Sequence, residues 1–173
     1  WRQVPSGAAR FEGARVVRQW LINSEVPSGF GSVTLTAGQS DPFGGTSAYK
    51  CVYAVAGSGH RFVYAATGTN PVGVTGTISV YMRGEVGGEQ IKLWDGFVVQ
   101  SAVTLTTDWK RYSFSVTTSA SISVLGYANT GTPTIYIHAA QTEAFGSAIP
   151  SEYVSVGVLS APYHGAGADG IKY

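Results

Sequence analysis

The feature that most constrains this chain is apolar–polar alternation confined to short spans. In TISVYMR, Ile78, Val80 and Met82 fall on one side while Thr77, Ser79, Tyr81 and Arg83 fall on the other, a period of two. In WKRYSFSVTT the same reading points Tyr112, Phe114 and Val116 inward. Further strand-like runs are RVVRQWLIN, VTLTA, SAYKCVYAVA, HRFVYAA, IKLWDGFVVQ, SAVTLT, SISVLGYA, TIYIHAAQTE and EYVSVG. Turn-rich stretches punctuate them: SEVPSGFGS, GQSDPFGGT and TGTNPVGVTG, with Gly57-Ser58-Gly59 predicted as a tight hairpin connection. The count is nine to eleven short strands, with a turn signal every eight to fourteen residues and no amphipathic helix. Such a pattern predicts an all-β fold, a jelly-roll-like antiparallel β-sandwich.

The 173 residues suit one domain. Residues 1–13 read as an irregular N-terminal arm, 14–158 as the sandwich, and 159–173 as a C-terminal tail or linker to a further segment. Trp1, Phe11, Tyr163 and Tyr173 in these ends are expected to lie on neighbouring subunits. The chain opens on Trp1 rather than Met, which reads as a processed product or a piece of something longer.

Charge excludes several roles. Eleven basic and ten acidic residues nearly cancel, and the densest basic stretch, Arg10, Arg15 and Arg18, is diluted by apolar neighbours. Nucleic-acid binding needs a clustered basic stripe to neutralise phosphates, so it is not expected. No run approaches the roughly 18 apolar residues that span a bilayer, so membrane insertion is not expected either. Cys51 stands alone in an apolar run and reads as a small buried hydrophobe.

Catalytic patterns are thin. Glu89 and Asp95, near Trp94, are the best candidates for paired acids, but a turn Asp before Gly96 and a strand-entry Glu are the favoured reading of them. His60, His138 and His164 are dispersed, GxSxG is absent, and no Gly-rich loop is followed by a helix. His138 alternates with Tyr136 on an outward face, as a surface or interface residue. Trp20, Trp109 and Tyr112 are expected in the core. What remains is aromatic. Exposed rings offer flat polarisable surfaces to the C–H faces of sugars. The glycan-binding candidates are Tyr81, Trp94, Tyr127 and Tyr136, with Arg83, Gln90 and His138 as hydrogen-bonding neighbours.

Three segments in order carry a family resemblance. ARFEGARVVRQWLINSE resembles the "ARTNLLLYSE" opening of a jelly-roll domain of bacteriophage tail and virion proteins. VTLTTDWKRYSFSVT is similar to its "VTLTTEWQRYSFTFT", and TIYIHAAQTEAFGSAIPSEYV to its "VYIWGAQLEAGSFPTSYIPT". The likeness spans about residues 9–157, and its AAQTE keeps Gln141 and Glu143 while losing a Gly and a Leu. The resemblance implies a sandwich similar to carbohydrate-binding modules, working as a non-enzymatic structural module on the exterior of a phage particle. Tail fibre, spike, head fibre and capsid decoration are the settings it implies. Its partners would be other virion proteins, a homo-oligomer (a trimer by analogy with phage fibres) and a host-surface glycan. The alternative is a dedicated carbohydrate-binding module of a larger glycan-active protein. No cofactor is expected beyond a structural calcium, for which related sandwiches supply a Glu after the first strand and paired Asp in the last. Glu25 fills the first role, whereas His138 and Ala139 stand where the Asp pair would be.

Overall fold

The computed structural model describes residues 17–18, 20–66, 72–117, 122–144, 149–151, 153 and 171–172, and none of these is helical. The strands are β1 (Val17–Arg18), β2 (Ser28–Phe30), β3 (Val33–Gln39), β4 (Ala48–Tyr53), β5 (Arg61–Tyr64), β6 (Thr75–Gly84), β7 (Gln90–Trp94), β8 (Val99–Thr104), β9 (Lys110–Thr117), β10 (Val124–Ala128), β11 (Thr134–Ala144) and β12 (Ile171–Lys172). Two five-stranded antiparallel sheets, ordered β2-β5-β10-β7-β8 and β3-β4-β11-β6-β9, pack into a jelly-roll β-sandwich, and β1 pairs with β12. The arm 1–13, most of the tail 159–173, the four aromatic residues in these ends, His164 and most of EYVSVG lie outside the described residues.

Register fixes which side chains meet. Tyr112, Phe114 and Val116 pair with Val80, Ile78 and Gly76, so the inward set read from alternation faces the core together. On the other sheet Phe62, Gly126 and Leu93 form one inward row. Cys51, Phe62, Tyr64, Ile78, Met82, Ile91, Ile135 and Ile137 are fully buried. Burial pushes the Cys51 thiol up to about 12, which keeps it protonated and inert. Trp20 is buried as expected, whereas Trp109 and Tyr112 are half-buried.

Gly126 makes room for a ring of its own sheet and a contact to the other. A Cβ there would sit 2.3 Å from Phe62 Cζ, so the missing side chain is what admits the ring. From the opposite sheet, the buried Tyr53 hydroxyl donates to the Gly126 carbonyl at 2.8 Å.

Four local expectations are corrected. Gly57-Ser58-Gly59 does turn the chain, with His60 N donating to Gly57 O at 3.0 Å, but it closes no hairpin: β4 and β5 belong to different sheets. SGF, read as turn, is edge strand β2, because it pairs antiparallel with β5. IKLWDGFVVQ is broken by a turn in which Asp95 Oδ1 accepts from Phe97 N and Val98 N, and Gly96 takes φ 103°. Among the described residues of RVVRQWLIN, Val17–Arg18 form the two-residue strand β1 and Leu21 makes an isolated bridge to Ala66, in place of one continuous strand.

Strand β11 is bulged between His138 and Gln141, and Ala139 takes φ 53° there. This left-handed conformation suits glycine, and Ala139 is where the resembled motif carries one.

Gly126→Ala is expected to lower stability by about 1–3 kcal/mol through overpacking against Phe62, read as a lower urea midpoint with an unchanged slope.

Candidate functional site

The seven sugar-binding candidates do not form one site. Register places Tyr81, Arg83, Tyr136 and His138 on the outer face of β3-β4-β11-β6-β9. Gln90, Trp94 and Tyr127 lie on the outer face of β2-β5-β10-β7-β8. These faces are on opposite sides of the sandwich.

On the first face most charged groups pair with one another, although His138 Nδ1 is buried without a partner. His138 points outward, but it is only 2% exposed and so is not the surface residue expected. The loop between β3 and β4 lays Phe43 over it, with ring centroids 5.7 Å apart, and Phe43 also meets Tyr81 at 5.3 Å and stacks on Tyr153 at 6.0 Å. Alternation reported the direction of His138 correctly and could not report this cover. Burial lowers the His138 pKa, against the opposing pull of Asp41 and a hydrogen bond to the Ser47 backbone. Beside it, the Arg83 guanidinium lies 3.7 Å from the Tyr136 ring centroid and 5.5 Å from that of Trp109. Lys50 pairs with Glu85 at 2.7 Å, and the Tyr136 hydroxyl donates to the same carboxylate at 3.4 Å. Arg111 donates to Ser79 Oγ at 2.9 Å and to the Ser151 carbonyl, while Ser151 N donates to Glu143 Oε2 at 2.8 Å.

Asp41 shapes the covering loop. Its carboxylate accepts from Phe43 N at 2.8 Å, Gly45 N at 2.9 Å, Ser47 N at 3.1 Å and Ser47 Oγ at 2.7 Å. Burial alone would raise its pKa, but these four bonds outweigh burial and hold it at about 2.

The calcium position fares poorly. Glu25 accepts from the Tyr153 hydroxyl at 3.3 Å, and that hydroxyl also lies 2.8 Å from Ser24 Oγ. Among the described residues no three His, Cys, Asp or Glu side chains meet. Calcium takes six to eight oxygen ligands. One carboxylate with a neutral tyrosine and a buried His138 does not fit it.

The second face has a different character. Phe30, Arg61, Tyr127 and Lys92 lie in one row across β2, β5, β10 and β7, with Val63, Leu125 and Trp94 in the next. Leu125 and Tyr127 point away from the core, yet they are only 6% and 9% exposed. Phe30 at the edge is 54% exposed, and Arg61, Lys92 and Trp94 are half-buried. A buried central strand between raised flanks makes a trough. Arg61 is clasped by two rings, 4.2 Å from the Phe30 centroid and 5.4 Å from that of Trp94. Its Nη1 donates to the Ser58 carbonyl at 2.7 Å, but Arg61 Nε and Trp94 Nε1 are buried without an acceptor. Phe30, Arg61 and Lys92 were missed in the sequence. Phe30 sat in an apparent turn, and the other two are single cations whose partners only register reveals.

Glu89 and Asp95 do not pair. They flank the two ends of β7, Glu89 accepting from Val86 N and Asp95 holding its own turn. A cleft of about 210 Å³ opens between edge strands β8 and β9, where Leu93, Val103, Tyr112 and Phe114 line it together with the polar Gln100, Ser101 and Ser113.

No protein-family model and no curated protein sequence matches the chain. Solved structures do share its fold. The CBM22-1–GH10 portion of xylanase 10B from Clostridium thermocellum, complexed with xylohexaose, aligns at TM-score 0.57 and 14% identity over 75% of this chain. This chain spans only 28% of that one. The CBM22-1 xylan-binding domain of Xyn10C from Paenibacillus barcinonensis aligns at TM-score 0.53 and 12% identity, covering 78% of this chain and 95% of that one. CBM1 of BiXyn10A in its apo form aligns at TM-score 0.51 and 19% identity, covering 74% and 99%. The fold is thus the jelly-roll sandwich of carbohydrate-binding modules.

The Asp41 loop yields a pH test. Its pKa is depressed in the folded state, so its stabilisation is complete above the ordinary value of 3.8 and is lost as pH falls through about 2. Urea midpoints measured across that window should fall in the wild type, and the part of that fall due to this loop should be missing in Asp41→Asn, which is less stable at neutral pH.

Proposed function

We propose that this domain is a non-catalytic carbohydrate-binding module that holds a glycan in the trough of β2-β5-β10-β7-β8. The observation that carries this reading is one outward row that sets Phe30 beside Arg61, Tyr127 and Lys92, with Trp94 in the next row. Phe30 and Trp94 supply ring surface, and Arg61 and Lys92, both half-buried, supply donors. A sugar ring supplies what the trough lacks, C–H faces for the rings and oxygen acceptors for the donors. On the opposite face the Phe43 ring covers His138 and packs against Tyr81. The shared fold with carbohydrate-binding modules supports the same reading.

The ordered motif resemblance favours a particular setting: the module as part of a phage virion protein on the particle exterior. In that setting it would assemble with copies of itself, and light scattering on the isolated chain is expected to give a trimer. A monomer would remove this setting and leave the glycan site untouched.

Trp94→Ala is expected to weaken binding of any glycan retained on an array by roughly tenfold, the worth of one stacked ring with its N–H donor. Tyr136→Ala, on the opposite face, should leave binding unchanged. The reverse pattern would move the site to the other sheet.

A further inference from the structure

We infer that the glycan taken by the trough is acidic and presents a carboxylate to Arg61 and Lys92. This rests on the reading of the trough as a glycan site. The five strands of that sheet, SGF, RFVY, VLGYA, QIKLW and VQSAVT, contain two cations and no Asp or Glu. Register sets both cations in the same row, one on each side of Tyr127. Strands lie about 4.8 Å apart, so their backbones are roughly 10 Å from each other and the two side chains can bracket a single sugar unit.

The carboxylates nearest in sequence are committed elsewhere. Asp95 is 2% exposed and holds the backbone of Phe97 and Val98. Glu89 bonds Val86 N and lies against Gly84 of the opposite sheet. Glu25 meets Tyr153, which stacks with Phe43 over the other face.

Acceptors are as scarce as donors are plentiful. Gln90 Oε1 already accepts from Asn129 Nδ2 at 2.9 Å. A neutral sugar brings a donor with each hydroxyl and no charge for the two cations to meet. A carboxylate brings acceptors alone, and it matches both the planar guanidinium and the ammonium charge. The first face shows the contrast, since Lys50 pairs there with Glu85 and Arg111 feels the charge of Glu143.

The test is affinity electrophoresis of the full chain in gels containing polygalacturonate, its methyl-esterified form, or neutral xylan, alongside an array of neutral, uronic-acid and sialylated glycans. Acidic glycans are expected to be retained. Esterification should weaken retention about tenfold, and so should Lys92→Gln, each removing one charge-assisted contact. Arg61→Gln should do the same, with circular dichroism confirming its fold, whereas Arg83→Gln on the opposite face should change nothing. Raising salt from about 50 to about 300 mM should weaken retention further. Equal retention of the ester, or no effect of Lys92→Gln, would overturn the inference. Retention of neutral glycans alone, sensitive to Trp94→Ala, would overturn it and leave the glycan reading standing. No retention of any glycan would remove both.

Discussion

Everything in this sandwich is arranged around the contact at Gly126. The Phe62 ring occupies the space where a side chain would stand, and Tyr53 reaches across from the other sheet to the Gly126 carbonyl. Because two of the three inward positions of β10 are small (Gly126 and Ala128, beside Val124), the sheets can close on Phe62, Tyr64 and Tyr53. The same strand therefore turns its larger residues, Leu125 and Tyr127, to the outside. The close packing of the core and the floor of the trough are two sides of one strand.

Most of the architecture was legible in the sequence, because alternation and turn chemistry are local. TISVYMR and WKRYSFSVTT gave the correct inward sets, since a period of two needs no knowledge of the partner strand. Local rules fail where the determinant is not local. Whether Gly57-Ser58-Gly59 joins neighbours in one sheet or carries the chain between sheets depends on strand order, which no local pattern encodes. Strand β2 is three residues long and owes its conformation to pairing with β5.

The site was less legible for the same reason. Each of the seven candidates was chosen as an outward polar or aromatic residue, and each does point outward. Direction does not say which of two faces a residue joins, nor what lies above it. His138 shows the second failure, since its cover comes from a loop nearly a hundred residues away in sequence. Arg61 shows the converse. As a lone cation at a strand entry it carried no signal, and it became informative only when register set it between Phe30 and Trp94.

The two faces also differ in how their polar groups affect stability. On β3-β4-β11-β6-β9, ion pairs and hydrogen bonds satisfy the charges within the chain, which favours folding and leaves little for a ligand. On β2-β5-β10-β7-β8, two neighbouring donors are withdrawn from water with no acceptor, at a cost of about 1–3 kcal/mol each. Apolar side chains at those positions would remove that cost without disturbing the alternation that defines the strands. The rings that shield Arg61 from solvent also strengthen any charge interaction it makes, because the local dielectric is low. The physical argument for a binding surface thus rests less on the presence of aromatic residues than on two cations set beside them in a sheet whose strands carry no carboxylate.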